Sequence, residues 1–298
     1  VRPGRWRRAL RTLALGCAVA GLALCGPAAA QTPPGPGQEP AAVDRESLLQ
    51  RQPQLMERAL AGLQATAPGQ PPQLFFISFA GYGPEAVFKR EALAVRDLFV
   101  ERFGTEGRSL VLVNHASTLD DIPLASAPNL GRALRRIGGL MDRDNDVLFL
   151  FLTSHGQKGL FVVEIPGYGA DDLTPARLKA LLDRSGIKNR VVVLSACHSG
   201  SFIPALAGPT TLVIAAAHAE RSSFGCEDRR EWTYFGDAYF NRALRRERSF
   251  ERAFVLARQT IGRWEARERL DRSYPQIAGG SALRQRLDGY ARRMAGQE

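Results

Sequence analysis

Five short apolar runs, the first three each followed by a helix-like segment, constrain this chain more than any other feature. Gln73–Ala80 (QLFFISFA), Ser109–Asn114 (SLVLVN), Asp146–Thr153 (DVLFLFLT), Arg190–Ala196 (RVVVLSA) and Thr210–Ala217 (TTLVIAAA) are nearly free of charged residues inside the run. A strand with one wet face alternates polar and apolar residues, so runs like these are buried on both faces. The segments between them have helical spacing. They are Glu85–Phe103, Leu130–Met141 and Thr174–Ser185, the last opened by Thr174 with Pro175 at the first helical position. Strands alternating with helices predict an α/β fold with a mostly parallel central sheet covered on both faces. Helices are also expected over Asp44–Leu63, Asp237–Arg246, Ser249–Arg269 and Ala282–Arg293, and a short hairpin arm over Leu160–Ile165.

The N-terminal stretch has a different character. Residues 1–30 hold Arg2, Arg5, Arg7, Arg8 and Arg11 and no acid. Leu13–Leu24 is almost wholly apolar, and Ala28-Ala29-Ala30 supplies small residues for cleavage before Gln31. A basic region, an apolar region and a small-residue site together predict an export signal, placing the mature protein in a bacterial periplasm or outside the cell. Removing the signal takes the formal charge from +10 to +5. That modest, evenly spread charge gives no reason to expect a nucleic-acid partner. No apolar run reaches the roughly 20 residues of a spanning helix, so no stable membrane span is expected once the signal is gone. Gln31–Pro40 is rich in Pro, Gly and Gln and reads as a linker. Of four cysteines, Cys17 and Cys25 fall in the signal, leaving Cys197 and Cys226. Two cysteines do not make a disulfide framework; they form one bridge, or one is a reactive thiol.

In parallel α/β sheets the ligand crevice lies outside the carboxyl ends of the strands. Two ends carry chemistry: Thr153-Ser154-His155-Gly156 and Ser195-Ala196-Cys197-His198-Ser199-Gly200. One strand–helix–strand unit separates His155 from Cys197, so neighbouring strands would bring thiol and imidazole together. An imidazole beside a thiol favours the nucleophilic thiolate. Glycine near each residue lets backbone N–H groups approach a carbonyl oxygen, as an oxyanion hole requires. His115 and His218 follow other strands and are secondary candidates, and His198 is expected to point away. No histidine or cysteine pair has metal-ligand spacing, and no cofactor is expected.

Three stretches in order, DVLFLFLTSHGQKGLFVVEIP, RVVVLSACHSGSF and AAHAERSSFGCEDRREWTYFGDAYF, resemble the legumain (asparaginyl endopeptidase) family of cysteine peptidases over roughly Gln73–Asn241. The resemblance implies a caspase-like three-layer α/β/α sandwich. It also implies His155 and Cys197 as the catalytic pair, with the backbone N–H groups of Gly156 and Cys197 as the oxyanion hole. The family's pocket for asparagine, less readily aspartate, maps onto Arg90, Ser222 and Asp237. Ser195 stands where the family has a glutamate, and Phe88 stands near the asparagine that supports the catalytic histidine. The missing acid implies looser selectivity. Relatives also carry a large C-terminal inhibitory prodomain; only one or two helices follow the resembling stretch, so control by that route is not expected.

The expected organisation is a signal peptide over 1–30, a linker and N-terminal helix over 31–72, a peptidase domain over 73–270 and a helical tail over 271–298. The expected function is an exported cysteine endopeptidase acting on proteins or peptides after Asn or Asp. An amine in place of water would make it a transpeptidase. The alternative is a weak or inactive caspase-fold binding protein. An α/β-hydrolase with a cysteine nucleophile fits poorly, because Ser195 and Ser199 occupy the elbow's glycine positions.

Overall fold

The central strands are buried on both faces, and successive side chains enter two separate cores in alternation. Phe75, Ile77, Phe79, Leu148, Leu150, Leu152, Val192 and Leu194 enter one core, while Phe76, Phe149, Phe151, Val191 and Val193 enter the other. The computed structural model describes residues 45–165, 167 and 169–296. The expected signal, Cys17, Cys25 and the 31–40 linker lie outside the described residues.

In chain order come α1 (Arg45–Ala61), β1 (Leu74–Ala80), α2 (Ala86–Phe103), β2 (Ser109–Val113), α3 (Ala127–Leu140) and β3 (Val147–Thr153). Two small antiparallel arms follow: β4 (Gly156–Gln157) with β5 (Leu160–Phe161), and β6 (Glu164–Ile165) with β7 (Gly169–Ala170). Next are α4 (Pro175–Arg184), β8 (Arg190–Ser195), α5 (Ile203–Leu206) and β9 (Thr211–Ala215). A short turn of helix, α6 (Tyr234–Gly236), continues into a π-helical stretch, Asp237–Ala243. The chain then forms α7 (Phe250–Glu268), β10 (Gln276–Gly279) and α8 (Arg284–Ala295).

The main sheet has six strands in the order β10-β9-β8-β3-β1-β2, all parallel except the edge strand β10. Side chains of α1, α3 and α4 fill one face; those of α2, the π-helical stretch, α7 and α8 fill the other. This is the expected three-layer sandwich. The helical starts follow ordinary capping rules: Ser126, Thr174 and Ser249 accept the N–H of Asn129, Arg177 and Arg252. Helix α1 docks on the sheet, with Leu48, Leu55 and Met56 buried.

Two expectations need correction. Residues 271–298 are not a helical tail: β10 pairs with β9 through Gln276↔Ala215 to Gly279↔Leu212, and Leu287 and Tyr290 of α8 are buried in the core. The strand escaped notice because QIAG is short and lies on an edge, where a strong apolar pattern is not required. The single arm expected over Leu160–Ile165 is divided between two small arms, because Phe161 pairs with Gly156 and bonds to Leu173 while Glu164 and Ile165 pair with Ala170 and Gly169.

Candidate active site

The strand order creates one crevice. From β1 the chain crosses to β2 on one side and later to β3 on the other, so the loops after β1 and β3 diverge at their carboxyl ends. Strands β3 and β8 are parallel neighbours in register Thr153↔Ser195. The ladder continues one residue further, where the Ser154 N–H donates to the Ser195 carbonyl at 3.2 Å. His155 and Cys197 therefore leave adjacent strands at the same level, with neighbouring strand backbones about 4.8 Å apart. Both are half-buried.

Gly156 sits against the nucleophile loop. A Cβ at this position would run into the Cys197 carbonyl and the Ala196 methyl. The Val162 N–H donates to the His155 carbonyl at 3.0 Å, and Gly156 lies opposite Phe161 in the same register. Alternation along an antiparallel pair leaves the Gly156 N–H outside that ladder. The Cys197 sulfur is bracketed by Ser223: it accepts the Ser223 N–H at 3.2 Å, and its thiol donates to the Ser223 carbonyl at 3.5 Å. Among the described residues the Cys197 N–H meets no acceptor.

The imidazole of His155 is held on three sides. Its Nε2 lies 3.0 Å from Oε2 of Glu85, the residue just before α2. Tyr82 and Phe88 pack edge-to-face on the ring, with centroids 4.6 and 5.1 Å away. With Nε2–H donating to the carboxylate, Nδ1 carries the lone pair. Phe88, which replaces the expected asparagine, thus packs on the ring, while Glu85 takes the hydrogen bond.

The residues expected on the substrate side are distributed around the segment 219–237. Ser222 is exposed, and it is Ser223 that touches the sulfur. The Arg90 guanidinium donates to the carbonyls of Asp228 and Arg230 and lies 3.5 Å from the Glu231 carboxylate. Asp237 accepts from Asn241 Nδ2 at 2.7 Å and from Arg242 Nε at 3.1 Å. It lines a cavity of about 560 Å³ with Trp232, Tyr234, Trp264 and Arg267. Arg90, Ser222 and Cys197 are not among that cavity's walls. Ser195 is buried, and its hydroxyl meets Thr233 Oγ1 at 3.1 Å.

The peptidase C13 family model matches residues 131–280, half of the chain. The chain belongs to the peptidase C13 family, the legumain family of cysteine peptidases. It is accordingly a cysteine-type peptidase, a hydrolase of peptide bonds. The match includes His155, Cys197, Ser222 and Asp237, whereas Glu85, Arg90 and Glu91 precede it. Among solved structures, caspase-1 from Spodoptera frugiperda is similar with a TM-score of 0.50 and 13% identity, over 72% of this chain and 92% of that one. At that identity the likeness shows the fold. No curated protein sequence matches the chain.

The remaining candidates of this C13 peptidase are engaged elsewhere. His198 has φ 56°, and its Nδ1 lies 3.0 Å from the Ala219 carbonyl. His115 Nδ1 accepts the Ser117 N–H and faces Lys89 at 3.3 Å; burial and then the Lys89 charge hold its pKa down. His218 Nδ1 accepts the Glu220 N–H. Cys197 and Cys226 are both free. Cys226 packs against the small core around Phe88, and burial, then the charge on Cys197, pushes its thiol pKa well up. Sequence reasoning missed Glu85, yet a signal existed: the rule applied to the ends of β3 and β8, applied to β1, leads through Gly81-Tyr82-Gly83 to Glu85.

Proposed function

We propose that Cys197 and His155 form the catalytic pair of this C13 peptidase, with Glu85 orienting the imidazole. The observation that carries the reading is the 3.0 Å contact of His155 Nε2 with Glu85, which leaves Nδ1 for a thiol on the adjacent strand end. Nδ1 takes the Cys197 proton, and the thiolate attacks the peptide carbonyl carbon. The N–H groups of Gly156 and Cys197 hold the oxyanion. His155 then returns the proton to the leaving amine, the C–N bond breaks, and a thioester remains on Cys197. Water, deprotonated by His155, releases the acid.

Cleavage after Asn, with Asp accepted at lower pH, is supported by the family pattern at Arg90, Ser222 and Asp237. An asparagine amide offers both an acceptor and donors to such a pair of charges. An aspartate would be repelled by Asp237 until protonated. Ser195 brings no carboxylate, so the preference is looser than in a typical legumain. An amine competing with water for the thioester would give transpeptidation, and the basic and apolar N-terminal stretches support export to the periplasm or beyond. A peptide library scanned at the residue before the cleaved bond tests the specificity. Asn first and Asp rising toward acid is expected; a preference for Arg, Lys or a large apolar residue overturns it. N-terminal sequencing of protein from its native host should begin near Gln31; a chain retaining its first residues contradicts export by cleavage.

A further inference from the structure

Glu91 is fully buried one residue from Arg90, on the core-facing side of α2 with Phe88, Ala92 and Val95. Three donors converge on its carboxylate. The Thr153 hydroxyl donates at 2.5 Å, the Thr233 hydroxyl at 2.7 Å and the Thr233 N–H at 3.2 Å. Thr153 ends β3, two residues before His155, and Thr233 meets Ser195, two residues before Cys197. The Gly236 N–H donates to the Thr233 hydroxyl at 2.9 Å, and a Cβ at Gly236 would collide with the Glu91 carboxylate. The turn is thus shaped around this one acid. Its neighbours on α2 grip the same segment: Arg90 holds the carbonyls of Asp228 and Arg230, and the Ala86 N–H donates to Asp228 Oδ1 at 2.7 Å.

We propose that Glu91 is a positioning residue of the peptidase reaction, fixing the Thr233 turn against the strand ends that carry His155 and Cys197. The proposal rests on the assignment of those two residues as the catalytic pair. It extends that assignment to a residue that touches neither substrate nor sulfur.

The carboxylate is matched to donors, so its ionised form is the one the turn grips. Burial opposes that form and pushes its pKa up to about 7, against the hydrogen bonds from Thr153 and Thr233 and with a small push from Asp237. The groups that face it are few. Strands β3 and β8 offer the hydroxyls of Thr153 and, through Thr233, Ser195. The helical stretch after the turn offers Asp237, and the 219–233 segment offers Cys226, whose thiol feels the Glu91 charge. Arg90 turns its guanidinium to backbone carbonyls. The grip should therefore tighten as pH rises through neutrality.

The test compares full-length wild type with Glu91→Gln, using one fluorogenic peptide that the wild type cleaves. Glutamine resembles the protonated acid, so kcat/KM should agree within about two-fold near pH 5.5. Near pH 8 the wild type should lead by about ten-fold, the usual weight of hydrogen bonds to a charged acceptor. A ratio that stays constant across pH, whether large or close to one, overturns the proposal, because a space-filling role has no pH dependence. Thr153→Val removes one donor to the same carboxylate and should show a smaller gap with the same pH dependence, which covers the case of a Glu91→Gln protein that folds poorly. Iodoacetamide modification of Cys197 in both proteins reads the catalytic pair independently. Hydrolysis that survives Cys197→Ala would overturn the site assignment itself, and this proposal with it.

Discussion

The strand ends bearing His155 and Cys197 and the 219–237 segment facing them are held in place by different forces. The strand ends are fixed by main chain: a parallel ladder from Leu148↔Arg190 to Thr153↔Ser195, buried between two apolar cores. The segment is fixed by side chains from far away in sequence. Arg90 reaches residues 228 and 230, Glu91 reaches Thr233, and the Cys197 sulfur takes up Ser223. Backbone register follows from apolar pattern, so it tolerates many substitutions. A side-chain dock depends on a few residues, each of which can be lost singly. The two strand ends are thus the sturdier part of the site, and the 219–237 segment the more changeable part.

Removing His155 gives the largest expected break in the sturdy half. His155→Ala should lower kcat/KM by on the order of 10²–10⁴, the usual weight of a positioned acid–base group. His198→Ala should lower it far less, because that imidazole bonds to Ala219. Kinetics of the two variants decide the matter, and the reverse ranking would assign the wrong imidazole.

The charge that strengthens the hydrogen bonds of the turn is costly to bury, so the ionisation that tightens the local grip should lower global stability. Folded Glu91 holds its proton up to about pH 7, whereas its ordinary value is 4.5. The native state therefore binds more protons between those values. The resulting contribution is complete below about pH 4.5, is lost as pH rises to 7, and is flat above. The loss is about 3 kcal/mol. Urea unfolding at several pH values should show this fall in wild type and not in Glu91→Gln; equal slopes would remove Glu91 from the account of the dock.

Smaller effects sharpen the comparison. Gly156→Ala places a methyl against the Cys197 carbonyl and should lower kcat by about ten-fold, as expected when an oxyanion donor shifts. Glu85→Ala should cost several-fold in kcat, with Glu85→Gln recovering most of it, since an amide oxygen still accepts the Nε2 proton. Steady-state assays separate these; no recovery by glutamine would mean that the charge, not the hydrogen bond, matters. Cys226→Ser should keep activity within about two-fold, given the thiol's burial and raised pKa.

The same division decides what the sequence makes legible. The five apolar runs foretell all of the parallel sheet, and the order of two of them foretells that His155 and Cys197 leave adjacent strand ends. Edge strand β10 has too little apolar pattern to be seen. Glu85, Ser223 and the Glu91 network depend on long-range side-chain pairing, for which local periodicity carries no information. One trace was present: Phe88, Glu91, Ala92 and Val95 share a helical stripe, and an acid on an apolar stripe marks a buried, partnered group. Arg90 and Asp237 hold opposite ends of the 228–237 stretch, one on its carbonyls and the other on the cavity beside Trp264, a placement that their spacing in the sequence does not reveal.

The central claim is that Cys197 is the nucleophile and His155 its proton acceptor. A short peptide ending in a thiol-reactive electrophile, followed by digestion and mass spectrometry, tests it directly. The account predicts one adduct, on Cys197, formed as fast in Cys226→Ser as in wild type and slowed at least ten-fold in His155→Ala. An adduct on Cys226, or a Cys197 labelled just as fast without His155, would contradict it.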